Sequence, residues 1–121
     1  MKDTFKITKE QLQGKVPVAV LHVRGWMDAQ SEEATLAEAQ ATFDEGARYL
    51  VIDLEEVNTM TSAGIRTLQK IHKLFAAGDD AGSMRIKVCN APPQVYHVLN
   101  ITGLLPSIPN YETLQAAVDS F

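Results

Sequence analysis

The chain has 121 residues, of which 45% are hydrophobic, so it is long enough to bury one core, and we expect a single domain over residues 1–121. Its formal net charge of −4 has the wrong sign for neutralising phosphate backbones, which argues against nucleic-acid binding. The longest apolar runs, VPVAVLHV and YLVIDL, are strand-sized and too short to span a bilayer, so no membrane partner is expected.

Two strands are predicted at the start of the chain. Residues 4–10 alternate weakly between polar and apolar side chains and are predicted to form an edge strand. Residues 16–24 are rich in valine and form a stronger strand that ends at Gly25. The turn between the two strands is expected around Gly14, which predicts a hairpin.

A helix and a buried strand are predicted next. The helix runs from Ser31, its expected N-cap, to about Gly46, which supplies a C-terminal stop. Residues 48–54, RYLVIDL, are almost continuously apolar, as expected of a central strand that is covered on both faces. This strand is predicted to end near Leu54.

The second half of the chain repeats the alternation of helix and strand. A stripe of apolar residues at helical spacing predicts a helix over residues 62–77, and AAGDDAGS follows as a loop. Residues 84–90, MRIKVCN, are predicted to form a strand. The segment PPQVYHVLNITG begins with proline and ends at Gly103, which predicts a third helix. LLPSIP is expected to be extended, and Asn110 is expected to cap a final helix.

The order of elements is therefore β-β-α-β-α-β-α-β-α. Strands that alternate with helices favour parallel pairing, whereas the initial hairpin is antiparallel. We expect an α/β fold with a mostly parallel sheet of four to five strands, an antiparallel N-terminal edge hairpin and about four helices.

The common enzyme motifs are missing from the sequence. No phosphate-binding glycine loop is present, and His22, His72 and His97 do not have metal-site spacing, so we expect no catalytic residue, no metal and no cofactor. The single cysteine, Cys89, lies in a strand-like segment and is interpreted as a core residue. Because one cysteine forms no internal disulfide and no secretion signal is evident, a cytoplasmic location is expected.

The segment NTMTSAG joins the central strand to the second helix. Ser62 falls at the first turn of that helix, beside free backbone N–H groups and the positive end of the helix dipole. From the spacing alone, the simpler interpretation is that Thr61 or Ser62 is the N-cap. The alternative is that Ser62 accepts a phosphate, which the same helix end would stabilise. Ala63 and Gly64 are small, which would let a partner approach closely.

Acidic residues follow two of the predicted strands. Asp28 stands just before the first helix and is interpreted as a helix cap. Asp53 stands near the end of the central strand and is expected to accept hydrogen bonds from loop amides. Glu55 and Glu56 are interpreted as a solvated turn, and Trp26 as a packing residue or an exposed contact.

Taken in order, several segments resemble the STAS domain, the fold of bacterial anti-anti-sigma factors. VAVLHVRGWMDAQSEEATLAEAQ resembles the family's strand, Gly-x-Leu-Asp and first helix, and YLVIDLEEVNTMTSAGIRTLQKIHKLF resembles its central strand and signature loop. RIKVCNAPPQVYHVLNITGLLPSIPNYETLQAA resembles the closing portion. The resemblance covers most of the chain.

The resemblance implies a protein switch. Family members bind an anti-sigma factor that is also a serine kinase, are switched off when it phosphorylates their signature loop, and are restored by a metal-dependent serine phosphatase. Ser62 takes the phosphorylated position, with Thr61 and Thr59 as weaker acceptors. Thr61 stands where many members carry Asp, and Ala63 where many carry a second Ser. The residues expected to contact the partner are Asp28, Thr59, Thr61, Ser62, Ala63, Gly64 and Arg66.

Other functions stay open at this stage. A STAS adaptor that is not phosphorylated, and that serves a transporter ATPase or a signalling complex, is the alternative, because Thr61 replaces the usual acid. A small hydrolase with Ser62 as nucleophile is a third candidate, although no histidine is placed by sequence as its base. The oligomeric state is also open, and a homodimer is one option.

Overall fold

The computed structural model describes residues 5–76 and 85–121. Nine elements follow one another in these two segments: β1 (Lys6–Gln13), β2 (Pro17–Met27), α1 (Ala29–Asp44), β3 (Leu50–Met60), α2 (Ser62–Ala76), β4 (Ile86–Cys89), α3 (Pro93–Ile101), β5 (Asn110–Tyr111) and α4 (Leu114–Asp119). No helix in the described segments is long and apolar enough to cross a bilayer. Most of the predicted AAGDDAGS loop lies outside the described residues.

The five strands form one sheet in the order β1-β2-β3-β4-β5. β1 pairs antiparallel with β2, through a turn that contains Gly14, and every later pair is parallel. The predicted α/β fold with an antiparallel edge hairpin is therefore confirmed. In such a sheet the carboxyl ends of β2, β3 and β4 lie along one edge, and the loops that leave this edge are where ligands and partners usually bind.

The two faces of the sheet carry different amounts of core. Alternate residues of the central strands, such as Leu21 and Ile52, pack with α1, α2 and α3 in the larger apolar cluster. The residues between them, such as Val20 and Val51, pack with α4 in a smaller cluster. We call these the three-helix face and the α4 face. Because α4 has only six residues, it covers only part of its face.

Two strands extend further than the apolar runs predicted. β2 continues past Gly25 to Met27, and β3 continues past Leu54 to Met60. They stay paired because β3 has one extra residue at each of two register shifts against β2, which brings Trp26 opposite Thr59 and Met27 opposite Met60. The predicted ends were wrong because the outer parts of these strands alternate with polar residues. Glu55 and Glu56 are exposed, as expected, but lie in β3 and not in a turn.

The N-cap of α1 is Asp28, and Ser31 is its third helical residue. The prediction of Ser31 as the cap was therefore wrong by three positions. The cause is that Ser31 forms the other half of a reciprocal capping box, in which the cap and the third residue each bind the other's backbone N–H. Gly46 follows the end of α1 with φ +109, a left-handed conformation that favours glycine, so the predicted stop is confirmed.

The closing part of the chain differs from the prediction at two places. LLPSIP forms a turn, in which the N–H of Ile108 donates to the carbonyl of Leu104 at 2.9 Å, and both side chains enter the core. Asn110 belongs to the short strand β5, and Thr113 caps α4 by accepting from the N–H of Ala116 at 3.0 Å. The prediction of Asn110 as the cap was wrong because a two-residue strand has no recognisable sequence pattern of its own.

Candidate functional site

Helices α1 and α2 begin side by side at the carboxyl edge of the sheet, and the carbonyl of Met27 joins them. This oxygen accepts from the backbone N–H of Thr61 at 3.0 Å and from its hydroxyl at 3.1 Å. Met27 is the last residue of β2 and precedes the N-cap of α1, and Thr61 directly precedes α2. The two helix starts are therefore held together by hydrogen bonds to one backbone carbonyl. Of the side chains nearby, only that of Thr61 takes part in them.

The start of α1 carries a carboxylate. Asp28 Oδ1 accepts from the N–H groups of Gln30 and Ser31, both at 3.1 Å, and Ser31 Oγ accepts from the N–H of Asp28 at 3.0 Å. The capping interpretation of Asp28 is thus confirmed. Its carboxylate also opposes the positive end of the α1 dipole, so this helix start has its own negative charge.

The start of α2 is capped by Thr61, and Ser62 is left out of the cap. The hydroxyl of Thr61 accepts from the N–H of Gly64 at 3.4 Å, and its carbonyl accepts from the N–H of Ile65 at 3.0 Å. Ser62 is the first residue of α2 and is exposed. No described residue forms a hydrogen bond with its hydroxyl. Of the two caps that the sequence allowed, the structure therefore selects Thr61.

Thr59 lies apart from Ser62. It is half-buried and pairs with Trp26, whose side chain is 36% exposed. Since side chains alternate along a strand and Met60 enters the core of the three-helix face, Thr59 lies on the opposite face of the sheet. Among the three hydroxyls of this segment, that of Ser62 alone is both exposed and outside the network of internal hydrogen bonds.

Gly64 is required by packing. A Cβ atom at this position would lie 2.5 Å from the carbonyl oxygen of Met27, 2.6 Å from Sδ of Met60 and 3.0 Å from Cβ of Met27. The first of these contacts is with backbone, which cannot move aside as a side chain end can. The small residue therefore lets α2 approach the end of β2, whereas the sequence suggested that it serves the approach of a partner. Ala63, beside it, is half-buried.

An ion-pair cluster links the outer surfaces of α1 and α2. Arg66 binds the carboxylate of Glu32 through Nε at 3.2 Å and Nη2 at 2.8 Å, and Lys70 Nζ binds it at 2.9 Å. Hydrogen bonds from Arg66 and Lys70 lower the pKa of Glu32 to about 2. The sequence predicted Arg66 only as a partner contact. Its bond to Glu32 was missed because the two lie 34 positions apart.

A second polar cluster lies on the α4 face, beyond the part that α4 covers. His22 Nδ1 bonds to Asp53 Oδ2 at 2.8 Å, and its Nε2 bonds to Glu10. Burial alone would lower the pKa of His22, but the hydrogen bonds to Glu10 and Asp53 outweigh it and raise that pKa above 6.5. Asp53 also accepts from the backbone N–H of Glu55 at 3.1 Å, but Glu55 lies within β3, so this amide is not the loop amide that was predicted.

Cys89 and the histidines offer no nucleophile arrangement in the described part of the chain. Cys89 is buried, as predicted, and burial together with Asp53 raises its pKa to about 12, which keeps the thiol protonated. His22 is engaged with the two carboxylates on the α4 face, and His97 is exposed on α3. No histidine in this part of the chain forms a hydrogen bond with Ser62.

Comparison with known proteins gives consistent results. Residues 9–117 match the sequence model of the STAS domain. A Bordetella bronchiseptica protein named "Putative anti-sigma factor antagonist BtrV" is 26% identical over 117 residues, which cover 97% of this chain and 95% of that protein.

Two solved structures extend the likeness to the fold. An anti-sigma factor antagonist from Mycobacterium paratuberculosis has a TM-score of 0.81 at 24% identity, covering 97% of this chain and 93% of that one. The Bacillus cell fate determinant SpoIIAA, solved in its phosphorylated form, has a TM-score of 0.68 at 22% identity, covering 95% of this chain and 98% of that one.

Proposed function

The chain belongs to the STAS domain family, and from this premise we propose that it is an anti-sigma factor antagonist that is switched off by phosphorylation of Ser62. The proposed partner is an anti-sigma factor with serine kinase activity, so the proposed place of action is the cytoplasm. The names of the Bordetella and Mycobacterium relatives support the antagonist function, and the phosphorylated form of SpoIIAA supports control by phosphate. The proposed functional unit is a single domain spanning residues 1–121.

The observation that carries the proposal is that the hydroxyl of Thr61 caps the helix, whereas the neighbouring hydroxyl of Ser62 is exposed and takes no part in the cap. Thr61 caps α2 and bonds to Met27, so it contributes to the fold. The Ser62 hydroxyl forms no hydrogen bond within the described residues and lies at an exposed helix start. A kinase can therefore modify Ser62 without breaking the cap. Modification of Thr61 would remove the bond that its hydroxyl donates to Met27.

Phosphoryl transfer at this position has a simple chemical course. The Ser62 oxygen attacks the γ-phosphorus of ATP held by the kinase, the bond to the β–γ bridging oxygen breaks, and ADP leaves. The hydroxyl proton passes to a base of the kinase. The phosphate then lies near the first N–H groups of α2, whose first turn contains no acidic residue. A metal-dependent phosphatase would reverse the step by adding water across the phosphoester bond.

The phosphate would oppose docking because of its charge. It adds about −1.5 to −2 at neutral pH, and a docked partner would have to desolvate it. Of the proposed contact residues, Ser62 and Arg66 are exposed, and Asp28 and Ala63 are half-buried at the same helix starts. Thr61 and Gly64 would act by shaping this surface. Thr59 would contribute from the neighbouring rim of the sheet.

The proposal is tested by labelling with the cognate kinase and radioactive ATP. We expect the wild type to be labelled at one site and Ser62→Ala to lose the label. Ser107→Ala is the matched control, since Ser107 is exposed in the turn that follows α3 and should leave labelling unchanged. Binding of the kinase, measured by calorimetry, should weaken at least tenfold when Ser62 carries phosphate.

Two results would overturn the proposal. If Ser62→Ala were labelled as well as the wild type, the acceptor would be another residue. If the wild type bound its partner but was not labelled by any kinase that binds it, the chain would instead be a STAS adaptor without the phosphate switch. Release of product from a reactive ester, lost in Ser62→Ala, would favour the hydrolase alternative.

A further inference from the structure

We propose that Arg66 is the internal receptor for a phosphate on Ser62, and that its guanidinium leaves the Glu32 carboxylate when the phosphate is present. This inference rests on the proposed phosphorylation of Ser62 and concerns what the modification does inside the protein. Phosphorylation would thus change the contact between α1 and α2 as well as the charge at the surface.

The first support is the spacing of the two residues on α2. Ser62 and Arg66 are four positions apart in one helix, so they lie one turn apart on the same side. An acid placed four residues before a base is the more favourable order, because each charge then also suits the helix dipole. Both positions face solvent, and 52% of the Arg66 side chain is exposed.

The second support is that Arg66 already binds an oxyanion. Its Nε and Nη2 hold the two oxygens of Glu32, which is the forked geometry that arginine also uses with phosphate. The receptor is therefore present and oriented before any phosphate arrives. A phosphate carries more negative charge than a carboxylate, so it competes strongly for the same guanidinium.

The third support is that Glu32 keeps a partner when Arg66 leaves. Lys70 Nζ lies 2.9 Å from Glu32 Oε2, so the carboxylate would not be left without a counter-charge. In addition, α2 contains no acidic residue, and its exposed side carries Lys70 and Lys73 besides Arg66. No negative charge on the helix itself therefore repels the phosphate.

The exchange would carry the signal from one helix to the other. In the unmodified protein, Glu32 is held to α2 by two cations, and the cluster borders an open groove between α1 and α2 that includes Ala29 and Leu36. After the exchange a single lysine would hold it. A partner that contacts both helices would then meet a changed surface on α1, although the phosphate is on α2.

The test uses protein in which phosphoserine is incorporated at position 62 during translation, so that no kinase or partner is needed. Carboxyl carbon NMR follows the titration of Glu32, and phosphorus NMR follows that of the phosphate. We expect the pKa of Glu32 to rise from about 2 toward its ordinary value of 4.5 on phosphorylation. We expect the second pKa of the phosphate to be lower by about 0.5 than in the Arg66→Gln variant.

Lys73→Gln is the matched control, because it removes one positive charge from the same helix without touching Glu32 or the turn that follows Ser62. It should leave both pKa values within about 0.2 of the parent phosphoprotein. If the phosphate titrates identically with and without Arg66, or if the pKa of Glu32 does not change on phosphorylation, the inference is wrong. Neither result depends on partner binding, so the proposed function can fail or hold independently.

Discussion

The starts of α1 and α2 lie beside each other, share the carbonyl of Met27 and are built differently. The start of α1 has a carboxylate, Asp28, that accepts from two backbone N–H groups at 3.1 Å within a reciprocal capping box. The start of α2 has a neutral hydroxyl, Thr61, that accepts from one N–H group at 3.4 Å. One helix start therefore carries its own negative charge, and the other does not.

This difference indicates at which helix start an added negative charge would be stabilised most by the helix dipole. At α1 the dipole is already opposed by Asp28, and Glu32 lies in the first turn. At α2 the first turn has no acid, and Ser62 is exposed there. A phosphate on Ser62 would supply the charge that Asp28 supplies to α1. In the proposed switch, Thr61 would keep the cap and phosphorylation of Ser62 would add the charge.

The largest expected effect comes from pushing the two helix starts apart. Gly64→Ala places a Cβ atom 2.5 Å from the carbonyl oxygen of Met27, so either α2 or the end of β2 must shift. We expect the free energy of unfolding to fall by about 2 kcal/mol, as for other overpacked sites. The measurement is urea unfolding followed by circular dichroism.

The neighbouring substitution Ala63→Ser is the control for Gly64→Ala. It also adds one heavy atom at the start of α2, but at a half-buried position, and should change the unfolding free energy by no more than about 0.5 kcal/mol. If both variants lost the same free energy of unfolding, the close approach of Gly64 to the Met27 carbonyl would not be what makes a side chain costly at position 64.

The next largest effect separates the two caps. Asp28→Ala removes an acceptor of two N–H groups and a charge opposed to the dipole, and should lower the unfolding free energy by about 1.5 kcal/mol. Thr61→Val keeps the shape but removes the hydroxyl, whose bond to Gly64 is long and whose acceptor, the Met27 carbonyl, keeps the Thr61 N–H; it should cost about 0.5 kcal/mol. Asp28→Asn keeps the acceptor and should cost only a few tenths. If Thr61→Val lowered the unfolding free energy more than Asp28→Ala did, the cap of α2 would be the stronger of the two, contrary to this prediction.

Much of the fold could be predicted because it depends on local patterns. The apolar runs around Val20 and Ile52 identify strands, and the stripe through Leu68 and Phe75 identifies α2, since burial on one or both faces leaves a period in the sequence. Gly46 marks the end of α1 for an equally local reason. The outer half of β3 could not be predicted, because two register shifts against β2 interrupt its regular alternation, and such shifts depend on the pairing of two strands that are distant in sequence.

The candidate site was predictable only in part. Asp28 was predicted as a cap from its place before α1, whereas Ser62 was singled out as a phosphate acceptor by the family resemblance, and that role stays a prediction. The choice of Thr61 as the cap depends on the Met27 carbonyl of another strand. The bond of Arg66 to Glu32 and that of His22 to Asp53 join residues 34 and 31 positions apart. Pairs of charged residues this distant leave no spacing that a single sequence can reveal.

The smallest expected effect lies on the α4 face, away from both helix starts. Both ring nitrogens of His22 face carboxylates, Asp53 and Glu10, and a neutral imidazole can donate through only one of them. The charged ring is therefore favoured in the folded protein. Because its pKa is raised above 6.5, this stabilisation is fully present below pH 6.5 and is lost as the pH rises through the folded-state pKa.

The free energy of unfolding of the wild type should therefore fall between pH 6 and pH 8 as His22 loses its proton. In His22→Gln we expect this fall to be smaller. The His22 side chain is 31% exposed, so solvent screening limits the change to about 0.5 kcal/mol or less. His97→Gln is the control, since the imidazole of this exposed histidine on α3 forms no hydrogen bond within the described residues. If both variants lost the same pH dependence, or if His22→Gln kept it in full, the stabilisation would not come from the cluster with Glu10 and Asp53. In either variant the proposed phosphorylation of Ser62 should be unchanged, because the sheet separates His22 from α2.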